Sequence, residues 1–335
     1  MRPSTPMEPI HPRDALFDPG EPAATPLPVC DHYAGVEERM RKALAMQAER
    51  GPVFDVTLDN EDGAPVGGEV EHAHLIAELL ASADNRHGRV GVRVLPVEHP
   101  RFGEVLAIVL AAAARPAYLM LPKPAGLADV QRAAAALDAA GGADVPLHAL
   151  VETHAALREV QAIAAHPRIE SLSFGLMDFV SAHRGAIPLE AMSVKGQFEH
   201  PLVVRAKLEI AAACHAHGKV PSHCVVTEFK HAAALQAAAT RAAREFGYTR
   251  MWSIHPAQLQ PILDAFAPTT AEVDQAIEIL LAAQAAHWAP IRHRDTLHDR
   301  ASYRYFWHVL ERAHRTSGSS GEQLPAEVRA AFFGG

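Results

Sequence analysis

Two kinds of segment alternate along the chain. Short apolar runs rich in β-branched residues are followed by Ala- and Leu-rich segments with the 3.6-residue period of a helix. The apolar runs are predicted to be strands, at Ala15–Phe17, Val53–Leu58, Val90–Leu95, Tyr118–Leu121, Leu147–Val151, Ser171–Phe174, Val220–Val226 and Met251–Ile254. The other segments are predicted to be helices, at Gly35–Arg50, Val70–Ala83, Phe102–Ala114, Leu127–Ala140, Ala155–Ala164, Leu202–His217, His231–Phe246 and Ala257–Phe266.

This order of elements predicts an α/β protein built as a closed (β/α)8 TIM barrel with extra C-terminal helices. A doubly wound open sheet is the main alternative, and it would need a Gly-rich turn after the first strand to bind a dinucleotide. Gly20 is a single glycine at that place, and the pair Gly67 and Gly68 lacks a third glycine at the required spacing. The pattern therefore favours the barrel.

A helical extension is predicted after the eighth unit. The segment Ala271–Ala286 has helical period, and Thr269 or Thr270 stands where an N-cap belongs. The tail from Trp288 to Gly335 carries aromatic residues in a polar setting, and we expect it to pack on the barrel or on a neighbouring subunit. Within this tail, Thr316–Gly321 is predicted to be a flexible loop. The predicted domains are a flexible segment at residues 1–12, the barrel at 13–268 and the helical extension at 269–335.

Composition narrows the class of protein. The chain has 335 residues and a formal net charge of −8, which argues against broad nucleic-acid binding because that needs a basic face. Its 3 cysteines show no CxxC spacing, so a disulfide framework or a zinc site is not expected. Residues 1–28 lack the apolar core of a secretory signal, and no apolar run reaches the ~18 residues of a membrane span. We expect a soluble, cytoplasmic protein.

Polar and charged residues follow the predicted strands. In a parallel barrel the catalytic groups lie at the carboxyl ends of the strands, where the loops that lead into the helices form one rim. A consistent set of such residues is much less probable by chance than one or two. The residues at these positions are Asp59-Asn60-Glu61-Asp62-Gly63, Arg93, Lys123, Glu152-Thr153, Gly175-Leu176-Met177-Asp178 and His255-Pro256.

Glu152 and Asp178 follow consecutive strands, which are neighbours in a barrel. Two carboxylates at adjacent strand ends can supply oxygen ligands to Mg²⁺, which takes few protein carboxylates and fills its remaining positions with water and substrate. For either residue alone, capping of the following helix is at least as good an explanation. For the adjacent pair, we favour a metal site.

Arg93 lies inside an apolar stretch, where an unpaired charge is costly. Its planar guanidinium suits a substrate carboxylate, but a structural ion pair with Asp59, Glu61 or Asp62 is an alternative. Both roles are compatible. Lys123 follows Pro122 directly, and a buried lysine there could form a Schiff base. Neutralising the acidic residues around it is the favoured role.

These residues, in this order, resemble the HpcH/HpaI aldolase/citrate lyase family, in particular the citrate lyase β-subunit and malyl-CoA lyase group. The likeness runs from about Arg13 to Ala286 and rests on the order and spacing of motifs that are each short. They are Arg13-Asp14-Ala15-Leu16-Phe17-Asp18-Pro19-Gly20, Asp59-Asn60-Glu61-Asp62-Gly63, Arg93, Pro122-Lys123, Val151-Glu152-Thr153, Gly175-Leu176-Met177-Asp178-Phe179 and Ile254-His255-Pro256-Ala257-Gln258.

The resemblance implies a carbon–carbon lyase that cleaves a (3-hydroxyacyl)-CoA ester, such as malyl-, citramalyl- or citryl-CoA, by reversible Claisen or aldol chemistry. It implies Mg²⁺ as cofactor, with CoA as part of the substrate, and a homo-oligomer, trimer or hexamer. It also implies roles for single residues. Glu152 and Asp178 would bind the metal; Arg93 would hold a 2-oxo acid, with Asp59 or Glu61 orienting it or relaying a proton; Arg13, Lys123, Gly175 and His255 would line the substrate site.

Two departures from the family pattern bear on the substrate. Leu95 stands where the family usually has Asn, and the seventh strand reads Pro221–Phe229 in place of the usual acidic stretch. Several alternatives therefore stay open beside the CoA-ester lyase: an accompanying thioesterase activity, a metal-dependent aldolase acting on free 2-oxo acids, a non-catalytic paralogue that binds acyl-CoA, and a subunit of a multi-component citrate lyase.

Overall fold

The structure, a computed structural model, describes residues 10–19, 21, 27–228, 231–316 and 324–334. The chain divides into two compact units, one of residues 24–266 and the other of residues 1–23 together with 267–335. Residues 13–23, which the sequence analysis assigned to the barrel domain, are thus grouped with the C-terminal residues. The reason is apolar packing, since Leu16 is fully buried in the same hydrophobic cluster as Trp307 and Phe332.

Residues 24–266 contain a closed barrel whose strands, among the described residues, run in sequence order. Each strand pairs in parallel with the next, and the last pairs with the first. This confirms the predicted (β/α)8 TIM barrel. The strands are β1 Cys30–Ala34, β2 Asp55–Asp59, β3 Val90–Arg93, β4 Leu119–Leu121, β5 Leu147–Val151, β6 Ile169–Phe174, β7 Val220–His223 and β8 Arg250–Ser253.

The predicted first strand was wrong. Ala15 and Leu16 belong to the short helix Pro12–Leu16, which begins with proline at a position where its missing N–H costs nothing. The true first strand is β1, whose Asp31 and His32 broke the apolar pattern that the prediction relied on. Both residues are nevertheless buried, because Asp31 forms an ion pair with Arg250 at 3.1 Å and the His32 imidazole hydrogen bonds to the Ser253 hydroxyl at 2.9 Å.

Helices follow the strands and cover the outside of the barrel. The segment predicted as one helix at Ala155–Ala164 is two helices that meet at Glu159, whose carboxylate accepts a hydrogen bond from the Leu127 backbone N–H at 2.9 Å. The α-helices of this unit are Glu37–Arg50, Glu69–Leu80, Phe102–Leu110, Leu127–Ala139, His154–Arg158, Val160–Ala165, Leu176–Ser181, Pro201–Ala216, Ala232–Arg244 and Leu259–Phe266, with 3-10 turns at Leu189–Met192, Gly196–Phe198 and Pro256–Gln258.

The amino end of the barrel interior is filled by a buried polar network. The fully buried Arg250 guanidinium pairs with Asp55 at 2.6 Å and with Asp31 at 3.1 Å. The Tyr118 hydroxyl donates a hydrogen bond to Asp31, and the Tyr118 ring stacks on His148 with centroids 3.8 Å apart. Charges this deep are tolerated because each has an opposite partner within hydrogen-bonding distance.

The other unit is helical, with a short antiparallel hairpin of β9 Ile291–His293 and β10 Thr296–His298. The predicted N-cap is Thr269, which forms a capping box with Glu272 at the start of the helix. Residues 1–9 of the predicted flexible segment and 317–321 of the predicted loop lie outside the described residues. No helix in the described part of the chain is both long and apolar enough to cross a membrane. The helices are Pro12–Leu16, Thr270–Ala285, Arg300–Thr316 and Ala326–Phe333.

Candidate active site

An ion pair between neighbouring strands lies at the carboxyl end of the barrel. Asp59, the last residue of β2, is in register with Arg93, the last residue of β3. The Arg93 Nε atom donates to Oδ1 of Asp59 at 2.6 Å, and Nη2 donates to Oδ2 at 2.8 Å. Burial disfavours the charge of Asp59, but the hydrogen bonds and charge of Arg93 outweigh it and lower the pKa of this carboxyl. The pair is therefore ionised and fixed in orientation.

Tyr33 contacts this ion pair, and the sequence analysis did not identify it. It lies in β1, the strand that was not predicted, and its hydroxyl donates a hydrogen bond to Oδ2 of Asp59 at 2.5 Å. The Arg93 guanidinium carbon lies 5.2 Å from the centre of the Tyr33 ring. Burial, and then the charge of Asp59, raise the pKa of the Tyr33 hydroxyl above its ordinary value, so this hydroxyl remains a donor. The only sequence signal for it is its place near the end of β1.

The loop after β2 adds two more carboxylates. Glu61 and Asp62 approach Arg93 at 3.0 and 3.2 Å, and Glu61 also forms an ion pair with the Lys123 ammonium. Burial raises the pKa of Glu61, although the positive charges of Arg93 and Lys123 oppose the shift. Burial alone would lower the pKa of Lys123, but Glu61 outweighs it and raises that pKa. Lys123 is therefore charged at neutral pH.

Glu152 and Asp178, the predicted metal ligands, are brought together. Glu152 follows β5 and is 2% exposed, and its Oε1 atom accepts a hydrogen bond from the Lys123 backbone N–H at 2.8 Å. Asp178 lies in the first turn of the helix after β6, with its Oδ1 atom 3.9 Å from the Lys123 ammonium. Burial, and then the charge of Asp178, raise the pKa of Glu152 to about 8. Gly175 lies directly against Glu152.

Several of these residues line one cavity of about 190 Å³ at the carboxyl end of the barrel. Its polar lining residues are Tyr33, Asp62, Arg93, Glu152 and Asp178. Its apolar lining residues include Leu150, Phe174, Val225, Trp252 and Ile254. A cavity that combines convergent charged groups with apolar side chains has the character of a small-molecule site.

Two predicted substrate-binding residues, His255 and Arg13, are not among the residues that line this cavity. His255 follows β8 directly after Ile254 of the cavity wall, is half-buried, and accepts a hydrogen bond from the Ala257 backbone N–H at 3.2 Å. Arg13 belongs to the helix Pro12–Leu16 of the other unit, where its guanidinium lies 5.6 Å from the centre of the Phe17 ring. The binding roles of both residues stay predictions.

The donor set of the cavity fits a hard divalent cation. Asp62, Glu152 and Asp178 bring three carboxyl groups into the wall of the cavity, beside the Arg93 guanidinium. Burial raises the pKa of Glu152, and the charge of Asp178 adds to the shift. Within the described residues no group of three or more His, Cys, Asp or Glu side chains is arranged as a metal cage. Two carboxylates with solvent or ligand oxygens suit Mg²⁺ better than metals that need such a cage.

A closed barrel with a charged cavity at the carboxyl ends of its strands is the architecture of many enzymes, and comparisons with known proteins identify the class. Residues 41–256 match the sequence model of one family, described as HpcH/HpaI aldolase/citrate lyase. The chain belongs to the HpcH/HpaI aldolase/citrate lyase family. The predicted resemblance is thereby confirmed, and relatives that are named lyases confirm the predicted enzyme class.

Relatives of known name and structure cover most of the chain. An L-malyl-CoA/β-methylmalyl-CoA lyase of Cereibacter sphaeroides is 27% identical over 73% of this chain and 82% of its own length. A (3S)-malyl-CoA thioesterase of the same species is 27% identical over 70% of this chain and 77% of its own length.

Solved structures share the fold. A citrate lyase from Burkholderia xenovorans is 53% identical, with a TM-score of 0.82 over 97% of this chain and 99% of its own. The protein CitE from Mycobacterium tuberculosis, in complex with magnesium, acetoacetate and coenzyme A, is 20% identical, with a TM-score of 0.66 over 86% of this chain and 98% of its own. At that identity the second likeness shows the fold alone.

Proposed function

We propose that this protein is a Mg²⁺-dependent lyase that reversibly cleaves a (3-hydroxyacyl)-CoA ester, such as malyl-, citramalyl- or citryl-CoA, into an acyl-CoA and a 2-oxo acid. The observation that carries the proposal is the buried Glu152, whose pKa is raised to about 8 beside Asp178 in the same cavity as Arg93. A carboxylate pair of this kind is a ligand set for Mg²⁺ next to a group that binds carboxylates. Relatives named malyl-CoA lyase support the substrate class.

Glu152 and Asp178 would hold the metal. When bound, Mg²⁺ would polarise the carboxylate and the C2 oxygen of the oxo acid as a Lewis acid and template. Arg93 faces the cavity and would hold the acid by charge, while Asp59 fixes the guanidinium through two hydrogen bonds. Asp59 therefore acts as a positioning residue.

The cleavage breaks the bond between C2 and C3 of the hydroxyacyl group. The C3 hydroxyl loses its proton and becomes the C2 carbonyl oxygen of the oxo acid, the electrons of the broken bond pass to the thioester as an enolate, and the enolate carbon is then protonated. Glu61 would hold the hydroxyl proton; burial raises its pKa and its Oε1 atom contacts the Lys123 ammonium. The Lys123 ammonium would neutralise the Glu61 carboxylate. It would also stabilise the negative charge that develops in the cavity during the reaction.

The other residues predicted to bind substrate have roles in the same proposal. Gly175 would give backbone access to the oxo acid, His255 would line the CoA entrance, and Arg13 would bind ligand phosphates. We also propose a homo-oligomer, trimer or hexamer. An Arg13→Ala variant whose affinity for CoA thioesters, measured by calorimetry, equals that of the wild type would contradict the phosphate role.

Thioester hydrolysis is the second candidate function, because a relative named (3S)-malyl-CoA thioesterase matches the chain at the same 27% identity as the malyl-CoA lyase, over 70% rather than 73% of this chain. A class I aldolase using Lys123 as a Schiff base is disfavoured, because the amine must be neutral to attack a carbonyl and Glu61 keeps it charged. Product analysis separates the first two, since hydrolysis of malyl-CoA yields malate whereas cleavage yields glyoxylate and acetyl-CoA.

The test is turnover of malyl-, citramalyl- and citryl-CoA by wild type and Asp178→Asn with and without Mg²⁺. We expect turnover by the wild type that depends on Mg²⁺ and is abolished by Asp178→Asn. Full activity of that variant would eliminate the metal assignment. A wild type that turns over none of the three esters would contradict the proposed function.

A further inference from the structure

A second cavity, of about 410 Å³, lies between helices that cover the barrel and has no role in the chemistry proposed above. Of the described residues that line it, none also lines the cavity that contains Glu152 and Asp178. Most of its wall comes from two helical surfaces, whose residues recur at the three- and four-residue spacing of one helix face. They are His154, Leu157, Arg158 and Gln161 from the helices after β5, and Leu202, Arg205 and Glu209 from the helix Pro201–Ala216.

We infer that this cavity binds an organic anion with an apolar body, such as an aromatic carboxylate. Leu157, Val160 and Phe179 form the apolar part of its wall, and all three are buried because they belong to the hydrophobic core of the barrel unit. Core side chains that also face a cavity provide a fixed apolar surface on which a ring or a branched chain can pack. The volume lies within the range of small-molecule sites.

The charges around this cavity favour an anion. Both of its arginines, Arg158 and Arg205, are largely exposed, but only Arg205 is closely paired, with the Glu209 carboxylate 2.7 Å away. The Arg158 guanidinium approaches the Glu159 carboxylate only to 3.9 Å. That carboxylate already accepts a hydrogen bond from the Leu127 backbone N–H at 2.9 Å. Arg158 can therefore offer two parallel N–H donors to a carboxylate in the cavity.

Two imidazoles line the same cavity as Arg158. The rings of His154 and His183 contact each other edge to face, with centroids 4.4 Å apart, and the Phe179 ring contacts both. The His183 Nδ1 atom lies 2.8 Å from the Phe179 carbonyl oxygen. A carbonyl oxygen can only accept, so Nδ1 carries the proton of this hydrogen bond and leaves Nε2 for a ligand. In the protonated ring Nε2 also donates, which suits an anion held by Arg158.

The test is a titration of the full-length protein with para-fluorobenzoate, followed by the fluorine NMR signal of this probe, without Mg²⁺ or a thioester. We expect saturable binding by the wild type and about tenfold weaker binding by Arg158→Gln, which loses a charge-assisted hydrogen bond. Leu202→Glu, which places a carboxylate in the wall, should abolish binding. Leu208→Glu is the matched control and should leave the affinity unchanged, since Leu208 is exposed on the same helix and does not line the cavity. The uncharged analogue para-fluorobenzyl alcohol should bind the wild type about tenfold more weakly than the benzoate does.

Four outcomes would overturn the inference. The first is a wild type that shows no saturable binding of the benzoate. The second is an affinity that is the same in wild type, Arg158→Gln and Leu202→Glu, because the probe then binds elsewhere, for example beside Arg93. The third is equal affinity for the benzoate and the alcohol, which would show that charge does not select the ligand. The fourth is an equal loss of binding in Leu202→Glu and Leu208→Glu, which would make the effect one of overall charge.

Discussion

Gly175 leaves no space for a side chain beside Glu152. A Cβ at Gly175 would lie 2.2 Å from the Oε2 atom of Glu152 and 2.5 Å from its Cβ. Glu152 is buried in a closed barrel, so it cannot move aside without disturbing the strand that carries it. Gly175, after β6, and Glu152, after β5, therefore pack directly against each other. Because Gly175 has no side chain, the Glu152 carboxylate can occupy the space beside it.

Gly175→Ala should displace the Glu152 carboxylate and reduce Mg²⁺-dependent turnover by about a hundredfold, because catalytic groups tolerate little misplacement. Steady-state kinetics with malyl-CoA and a titration with Mg²⁺ measure the effect. Gly103→Ala is the matched control, since a Cβ there meets nothing within 4 Å. Equal activity of Gly175→Ala and Gly103→Ala would show that the position of Glu152 is not critical.

Mg²⁺ binding should strengthen with pH. Because the pKa of Glu152 is raised to about 8 in the metal-free protein, a proton must leave before the carboxylate can bind a cation. Below pH 8 the apparent affinity should fall about tenfold per pH unit, and above pH 8 it should level off. Calorimetric titrations from pH 6 to pH 9, in buffers that differ in ionisation enthalpy, measure the affinity and count the released proton. An affinity independent of pH over this range would contradict the assignment of Glu152 as a ligand.

Asp59→Asn should lower the free energy of unfolding by about 3 kcal/mol, because it leaves the buried Arg93 charge without its bidentate partner. Asp62→Asn provides the control, since Asp62 contacts the same guanidinium at 3.2 Å but its side chain is 61% exposed. Its effect should stay below about 1 kcal/mol. Urea denaturation of both variants gives the comparison, and equal losses would refute the view that Asp59 is the principal partner of Arg93.

Lys207 should make stability depend on pH in the alkaline range. Burial, the largest cause, lowers the pKa of this lysine to about 8, and its ammonium donates to the Gln197 side chain at 2.9 Å and lies 3.8 Å from the centre of the Phe198 ring. Between pH 8 and the ordinary lysine pKa, the unfolded chain is protonated and the folded protein is not. Stability should therefore rise with pH over this interval.

Relative to Lys207→Met, wild type should gain on the order of 1–3 kcal/mol in the free energy of unfolding between pH 7 and pH 10. Chemical denaturation of the two proteins at several pH values measures the difference. A difference that stays constant across the range would show that folding does not lower the pKa of Lys207.

The fold was largely predictable because barrel strands are apolar and helices follow them in a fixed order. Once a residue is placed after a strand, the topology decides where it lies, so Glu152, Asp178 and Arg93 could be expected at one end of the barrel from sequence alone. All three residues line one cavity at that end.

The first strand could not be found in this way. Asp31 and His32 can be buried in this strand because they pair with Arg250 and Ser253, which are distant in sequence. A local pattern of hydrophobic and polar residues does not reveal such partners. Because β1 was not predicted, Tyr33 was not identified as a residue of the site. The residues of the altered seventh strand also have partners distant in sequence. His223 stacks on Phe198 with ring centroids 5.3 Å apart, and the Cys224 thiol hydrogen bonds to Gln197. The spacing of residues along the strand does not reveal such contacts.

The network formed by Arg250, Asp31, Asp55 and Tyr118 fills the amino end of the barrel, whereas the cavity lined by Glu152 and Asp178 lies at the carboxyl end. The ion pairs that stabilise one end of the barrel are thus separate from the carboxylates that line the cavity at the other. Substitutions at one end can therefore alter stability without removing any side chain from the other.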